Sequence, residues 1–258
     1  MKSIQIIKIG GNIIDNPDAL DKFLKNFSKV EGAKILVHGG GKLATEMSKQ
    51  LGIPVQMVHG RRVTDEATIK LVTGVYAGQI NKNIVADLQA LGCNALGLTG
   101  ADMNIIPAHK RVNKEIDYGF VGDFDTDDIN VDLLTKIIEM GVTPVFCPLT
   151  HDQQGNMLNT NADTIASGLA VALSKSFNTK LTYCFDKKGV LSDVNDENSV
   201  IQHIDKKLYA KLKQSKSIHD GMIPKLDNSF NAIESGVKQV VIKHADYILE
   251  ENGTTLTK

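Results

Sequence analysis

Short apolar runs alternate with amphipathic stretches along most of the chain. The runs at residues 4–9, 34–37, 143–147, 181–185 and 239–242 are of strand length, rich in Ile and Val, and apolar on both faces. That is the pattern of strands covered by helices on either side. Four of them lead directly into turn residues: Gly10-Gly11, His38-Gly39-Gly40-Gly41, Pro148 and Asp186. Between the runs, a helical period predicts helices at about 19–27, 42–51, 65–91, 132–140, 162–173, 206–214 and 224–235. Strand, glycine turn and helix in repetition predict an α/β fold with a mostly parallel sheet and right-handed crossovers.

Two stretches depart from that rhythm. Residues 105–121 hold two extended segments around Lys110-Arg111-Val112-Asn113-Lys114, which predicts a β-hairpin, either a flap over a ligand or a surface excursion. The helix at 65–91 would be about 40 Å long, with Thr64 or Asp65 capping its start and Gly92 its end. Gly74 and Gly78 inside it fall on one face and let another backbone approach, within the subunit or across a dimer axis. The softest boundary is 174–180, which divides the chain into lobes 1–175 and 176–258 sharing one sheet.

Composition narrows the function classes. The chain has 258 residues, 42% of them hydrophobic, with 29 Lys+Arg against 30 Asp+Glu. A net charge of −1 supplies no field to gather nucleic acid or anionic lipid, and no window approaches the roughly 18 apolar residues of a membrane span. Cys93, Cys147 and Cys184 are odd in number and far apart, neither a disulfide framework nor a zinc spacing, so reduced, buried thiols in a cytoplasmic protein are expected. The seven histidines lack ligand-pair spacing and no G-x-S-x-G is present, so a divalent ion is expected to arrive on a nucleotide.

In open α/β sheets, ligands bind at the carboxyl ends of strands. Lys8-Ile9-Gly10-Gly11-Asn12 and His38-Gly39-Gly40-Gly41-Lys42 occupy that position, where bare backbone N–H groups and a following helix start cradle anions. Neither is a P-loop, because Lys42 is followed by Leu43, and neither fits G-x-G-x-x-G. Tight βα turns alone would also explain the glycines. Lys8 suits a transferring phosphoryl group, or is an edge lysine. Arg61 and Arg62 suit a carboxylate clamp, or are surface arginines. Asn159 and Asn161 cap the helix that Ala162 begins, or hold a ligand beside Asp163. Lys225 follows Pro224 at another helix start, where it could approach bound phosphates.

Six motifs in order resemble the amino acid kinase family, and within it the branch that phosphorylates N-acetyl-L-glutamate. They are Lys8-Ile9-Gly10-Gly11, His38-Gly39-Gly40-Gly41, Gly60-Arg61-Arg62-Val63-Thr64, Asn159-Thr160-Asn161-Ala162-Asp163, Asp186-Lys187-Lys188-Gly189-Val190-Leu191 and Asp220-Gly221-Met222-Ile223-Pro224-Lys225. The resemblance covers essentially the whole chain. It implies a three-layer αβα sandwich, an acylglutamate-binding and dimerising lobe over 1–175, and an ATP-binding lobe over 176–258. The implied reaction moves the ATP γ-phosphoryl group to the substrate γ-carboxylate in arginine biosynthesis, with Mg²⁺ carried on the nucleotide. It further implies that Lys8 and Lys225 stabilise the transition state and that Asp163 holds them. Gly10, Gly11, Gly40 and Gly41 would cradle phosphate and substrate, Arg62 would take the α-carboxylate, and Asn159 and Asn161 would bind the acylamino glutamate. Asp186, Gly189, Leu191, Ser217 and His219 match nucleotide-binding positions. The hairpin matches a lid.

Three positions depart from the family's pattern. Lys8 lies only eight residues in, leaving no room for the N-terminal helix of arginine-inhibited hexamers, so a homodimer with weak or no arginine feedback is expected. Position 61, commonly apolar, is Arg here, which either favours an acyl cap bearing its own carboxylate, such as succinyl, or faces solvent. Lys187-Lys188 replaces a less charged pair, adding attraction for ATP phosphates or only solvated lysines. Glutamate 5-kinase, aspartokinase, carbamate kinase and uridylate kinase are the nearest rival readings, and a non-catalytic binding protein of the same fold is a more distant one.

Overall fold

The computed structural model describes residues 1–58, 60–193, 195–215, 218 and 222–258. In chain order the elements are β1 (Ser3–Ile9), α1 (Gly11–Ile14), α2 (Pro17–Ser28), β2 (Ala33–His38), α3 (Gly41–Gln50), β3 (Met57–Val58), β4 (Arg61–Arg62), α4 (Glu66–Thr73), a π-helical segment (Gly74–Ile80) and α5 (Asn81–Ala90). There follow β5 (Ala95–Leu98), β6 (His109–Lys110), β7 (Gly122–Asp123), α6 (Val131–Glu139), β8 (Thr143–Phe146), β9 (Leu149–His151), β10 (Met157–Asn159) and α7 (Ala162–Ser174). The chain continues with β11 (Asn178–Phe185), β12 (His203–Ile204), α8 (Lys206–Gln214), α9 (Ile223–Glu234), β13 (Gln239–His244) and β14 (Thr254–Leu256).

The chain divides into two compact units, one of Met1–Lys34 with Ala166–Lys258 and the other of Ile35–Ile165. The first unit has strand order β12-β14-β13-β11-β1. Seven register pairs, Ser3↔Asn178 through Ile9↔Cys184, tie β1 in parallel to β11. β11 and β13 are also parallel, whereas β14 runs antiparallel to β13. Ile6 and Ile7, on opposite faces of β1, are both fully buried, as a strand covered on both sides requires. Helix α2 buries Phe23, Leu24 and Phe27, and Asn16 caps its start by accepting from the N–H groups of Asp18 and Ala19. The buried Lys34 ammonium closes its other end, donating to the carbonyls of Phe27 (2.8 Å), Ser28 (2.9 Å) and Val30 (2.6 Å).

In the second unit the parallel strands lie in the order β2-β8-β5, and Ile35, Leu36, Val37, Val145, Phe146 and Leu98 fill the core around them. Three two-stranded antiparallel ribbons, β3–β4, β6–β7 and β9–β10, complete it. The α/β class and the mostly parallel sheet are those expected. The packing boundary is not the lobe boundary expected near 175, because β1 hydrogen-bonds to a strand some 170 residues later and joins the C-terminal segment.

Two local expectations need correction. The expected hairpin has strands of only two residues each, His109↔Asp123 and Lys110↔Gly122, so residues 111–121 are a loop rather than extended strands around 110–114. The loop is drawn aside by the segment after β4: the Thr64 N–H donates to Tyr118 O (2.9 Å), and the Phe120 N–H donates to Thr64 O (2.7 Å). The helix predicted at 65–91 is present, with the Asp65 side chain accepting from the Thr68 N–H (2.8 Å) as its cap and Gly92 at φ +74° beyond its end. Its middle is π-helical, and Gly74 and Gly78 lie in that segment, exposed, with open space where a Cβ would stand.

Candidate active site

In the second unit the glycine turn after β2 is held from beneath by a buried histidine. His38 Nδ1 lies 2.7 Å from the Gly39 carbonyl, which can only accept, so Nδ1 carries the proton; Nε2 then accepts from Asn81 Nδ2 (3.0 Å). Asn81 Nδ2 also donates to Val145 O (2.9 Å), anchoring the ring to β8. Burial holds the imidazole well below its usual range, at about 4, so it is neutral at physiological pH. Gly40 has φ +150°, and a Cβ there would run into Ile80 Cδ1 and the Tyr76 ring. Gly41 opens α3 with open space at its Cβ position. The first N–H groups of this ten-residue helix have no side-chain cap.

Arg62 reaches that turn. The residue is only 7% exposed, and Nη2 donates to Gly41 O (2.9 Å) and Thr45 Oγ1 (2.6 Å). Among the described residues, Nη1 is buried without a hydrogen-bond partner and no carboxylate pairs with the side chain. Burial pushes the neighbouring Tyr76 hydroxyl up, while Arg62 partly offsets that shift. Asn159 ends β10, and its Nδ2 donates to Thr64 Oγ1 (3.0 Å), so it faces the arginine segment and does not cap α7. Asn161 is the cap, accepting from the Thr164 N–H (3.0 Å). Asp163 lies half-buried in the first turn of α7.

The first unit gathers a second set. Lys8 is the register partner of Tyr183, so the two side chains share one sheet face. Over the Tyr183 ring stands the Lys225 ammonium, 4.9 Å from its centroid and 5.5 Å from that of Phe185. The Gly10 N–H donates to Cys184 O (3.1 Å), and Asn12 Nδ2 donates to Asp186 Oδ2 (3.1 Å). Gly10, Gly11, Lys8, Lys225 and Asp186 therefore converge at the carboxyl ends of β1 and β11. The helix after Gly10 is only four residues long, so this turn offers backbone N–H groups with little macrodipole. Gly189 has a packing reason of its own, since a Cβ would lie 2.7 Å from Thr254 Oγ1 and 2.9 Å from Val200. Half-buried Leu191 bridges Val200. Ser217, His219 and the Asp220-Gly221 pair lie outside the described residues.

Tyr183 and Thr45 were not foreseen as parts of these sets, whereas Asn12 and Thr64 lie inside the expected motifs without a role of their own there. Tyr183 sits in an apolar run and becomes visible only through register. A cavity of about 660 Å³ in the first unit includes Lys188 of the Asp186–Leu191 motif in its lining, together with Lys180, Gln239, Val241 and Lys243 from the sheet face opposite Tyr183. All three cysteines are free and buried, and burial pushes the thiols of Cys147 and Cys184 up to about 12, which makes them unreactive. Among the described residues no group of three or more His, Cys, Asp or Glu is placed to hold a metal, and no helix is long and apolar enough to cross a membrane.

The model of the amino acid kinase family matches residues 3–244. An acetylglutamate kinase of Cytophaga hutchinsonii is 57% identical over all of this chain and 98% of its own length. One from Parabacteroides distasonis is 54% identical over 98% of this chain and 99% of its own. Among solved structures, that of a Streptococcus mutans protein superposes with a TM-score of 0.78 at 30% identity, covering 100% of this chain and 99% of that one. A family model matched over residues 3–244, relatives more than half identical over their full length and a mostly parallel α/β sheet place the chain in the amino acid kinase family.

Proposed function

We propose that this chain transfers the γ-phosphoryl group of ATP to the γ-carboxylate of N-acetyl-L-glutamate, giving ADP and an acyl phosphate in arginine biosynthesis. Relatives bearing the name acetylglutamate kinase, more than half identical over full length, support the reaction. The observation that carries the substrate assignment is Arg62. A buried guanidinium without a carboxylate partner is costly unless an anion completes it. Its unused Nη1 beside the Gly40-Gly41 turn fits the planar fork of a substrate α-carboxylate. Asn159 and Asn161 complete the acylglutamate site.

A carboxylate is already nucleophilic, so no general base is needed, and catalysis reduces to positioning two anions and neutralising their repulsion. The glycine turn after β1, with Lys8 and Lys225 beside one aromatic ring, fits a polyphosphate. Lys8 and Lys225 supply positive charge where it develops on the transferring group, and Asp163 orients lysine ammonium groups. Asp186, Gly189, Leu191, Ser217 and His219 bind the nucleotide, whose phosphates carry Mg²⁺. In this reading residues 1–175 serve the acylglutamate and the dimer contact, apart from the phosphate-cradling turn of Lys8, Gly10 and Gly11, and residues 176–258 serve the nucleotide. A reducing compartment, the cytoplasm, suits the three buried free thiols. The exposed Gly74/Gly78 face supports a homodimer.

The test is ATP-dependent acyl phosphate formation trapped as the hydroxamate, in wild type and Arg62→Lys. Because Lys cannot reproduce the bidentate fork, the variant should raise KM for the acyl substrate roughly 10- to 100-fold with a smaller effect on kcat. Hydroxamate formation with free L-glutamate but with no acylated glutamate would overturn the reading.

A further inference from the structure

Resting on the acylglutamate reading above, we propose that Asn81 is a positioning residue for the acyl substrate. It locks the neutral His38 ring in one tautomer, and through that ring it aims the Gly40 N–H, in the turn after β2, at a carboxylate of the substrate.

The amide has only one orientation. Val145 O can only accept, so the Asn81 atom 2.9 Å from it is Nδ2. The other Nδ2 hydrogen then goes to His38 Nε2 at 3.0 Å, which must be bare. Across the ring, the Gly39 carbonyl 2.7 Å from Nδ1 requires a proton there. Two carbonyls, one on β8 and one in the turn, thus fix this run of hydrogen bonds from both ends, and a single tautomer satisfies them. The donors decide the orientation, because it leaves the amide's own oxygen unsatisfied. Among the described residues, Asn81 Oδ1 is buried with no hydrogen-bond partner. The fold also makes room for it, since a Cβ at Gly97 in β5 would run into Oδ1.

What the ring transmits is the direction of a peptide. The Gly39 carbonyl and the Gly40 N–H belong to one planar trans unit and point opposite ways. With the carbonyl drawn to His38, the Gly40 N–H is turned away from the buried ring. A proton on Nε2 instead of Nδ1 would set a nitrogen lone pair against the Gly39 oxygen and rotate that peptide. The same helical stretch grips the turn a second time, where Ile80 and the Tyr76 ring occupy the space beside Gly40. Tyr76 and Asn81 are five residues apart, which a regular helix would separate by about 140° around its axis. The π-helical segment Gly74–Ile80, whose bonds reach one residue further, brings the two side chains round to one turn.

The first measurement is the ¹⁵N spectrum of the histidine rings in the wild-type enzyme, with His38 assigned by its loss in His38→Leu. It should show a protonated Nδ1 and a bare Nε2. Neutral histidine in water favours the opposite form, so a protonated Nε2 would overturn the inference without any Asn81 variant having to fold. Kinetics tests the consequence. Asn81→Leu keeps nearly the same shape and loses the donor. Its KM for N-acetyl-L-glutamate should rise about tenfold, the factor carried by one hydrogen bond to a charged group, while kcat and KM for ATP move less than about threefold. The same substitution in a His38→Leu background should raise KM far less, because Asn81 acts through the ring. Equal losses in kcat and both KM values, or the full KM effect without the ring, would make Asn81 a packing residue and overturn its positioning role. A wild-type enzyme that forms no hydroxamate with acylated glutamate would instead overturn the kinase reading, and the substrate role of Asn81 with it.

Discussion

At His38, one ring orders a whole turn. Nδ1–H fixes the Gly39 carbonyl, Nε2 accepts from Asn81, and full burial excludes the charged form. The folded-state value of about 4 lies below the ordinary 6.5. Between those values the unfolded chain takes up a proton that the folded chain refuses, so stability falls as pH drops through that window and levels off below it. The loss is on the order of 3 kcal/mol. Urea unfolding at several pH values from 7 to 4 should show His38→Gln losing less stability on acidification than wild type; parallel curves would refute the assignment. His38 was legible as part of a glycine-turn motif, but its role was not. Nothing local announces that Asn81, 43 residues on, points its amide at the ring.

Helix α3 separates glycines required by the fold from glycines required by a ligand. At Gly40 the positive φ and the contact with Ile80 and Tyr76 demand the missing side chain. Gly40→Ala should therefore destabilise the protein by about 1–3 kcal/mol, as read from its Tm. At Gly41 the backbone is ordinary and nothing in the fold meets a Cβ. Gly41→Ala should keep or slightly raise Tm, since Ala favours helix by up to about 1 kcal/mol. It should nevertheless raise KM for the acylglutamate about tenfold or more, because the methyl group would occupy ligand space. Equal KM in Gly41→Ala and wild type would remove Gly41 from the site. The helices and the five principal strands were legible because period and caps are local properties; Asp65 and Gly92 bound their helix as expected. The short ribbons were not, because strands of two or three residues carry no period. The hairpin expected over 105–121 has only two-residue strands because Thr64 takes the backbone hydrogen bonds of Tyr118 and Phe120.

For the whole molecule, the assembly prediction follows from the exposed, side-chain-free face of the π-helical segment. Light scattering should give twice the 28.0 kDa of one chain, and Gly78→Glu should shift the enzyme towards monomer without unfolding it. A hexamer, or a dimer indifferent to Gly78→Glu, would refute the contact. At this scale the division between sequence and structure is plain. Local order along the chain determined the α/β class, most elements, and the motifs whose order resembles a kinase family, since hydrophobic period, glycine turns and helix caps act over a few residues. Tertiary structure alone decided that β1 belongs with β11, that Lys225 stands over Tyr183, and that Asn159 serves Thr64 while Asn161 caps a helix. It also decided that Arg62 is buried without a carboxylate and that Arg111 holds Asp123. Those outcomes depend on which distant segments pack together, and the charge or burial of a residue is a property of that packing rather than of its neighbours in the chain.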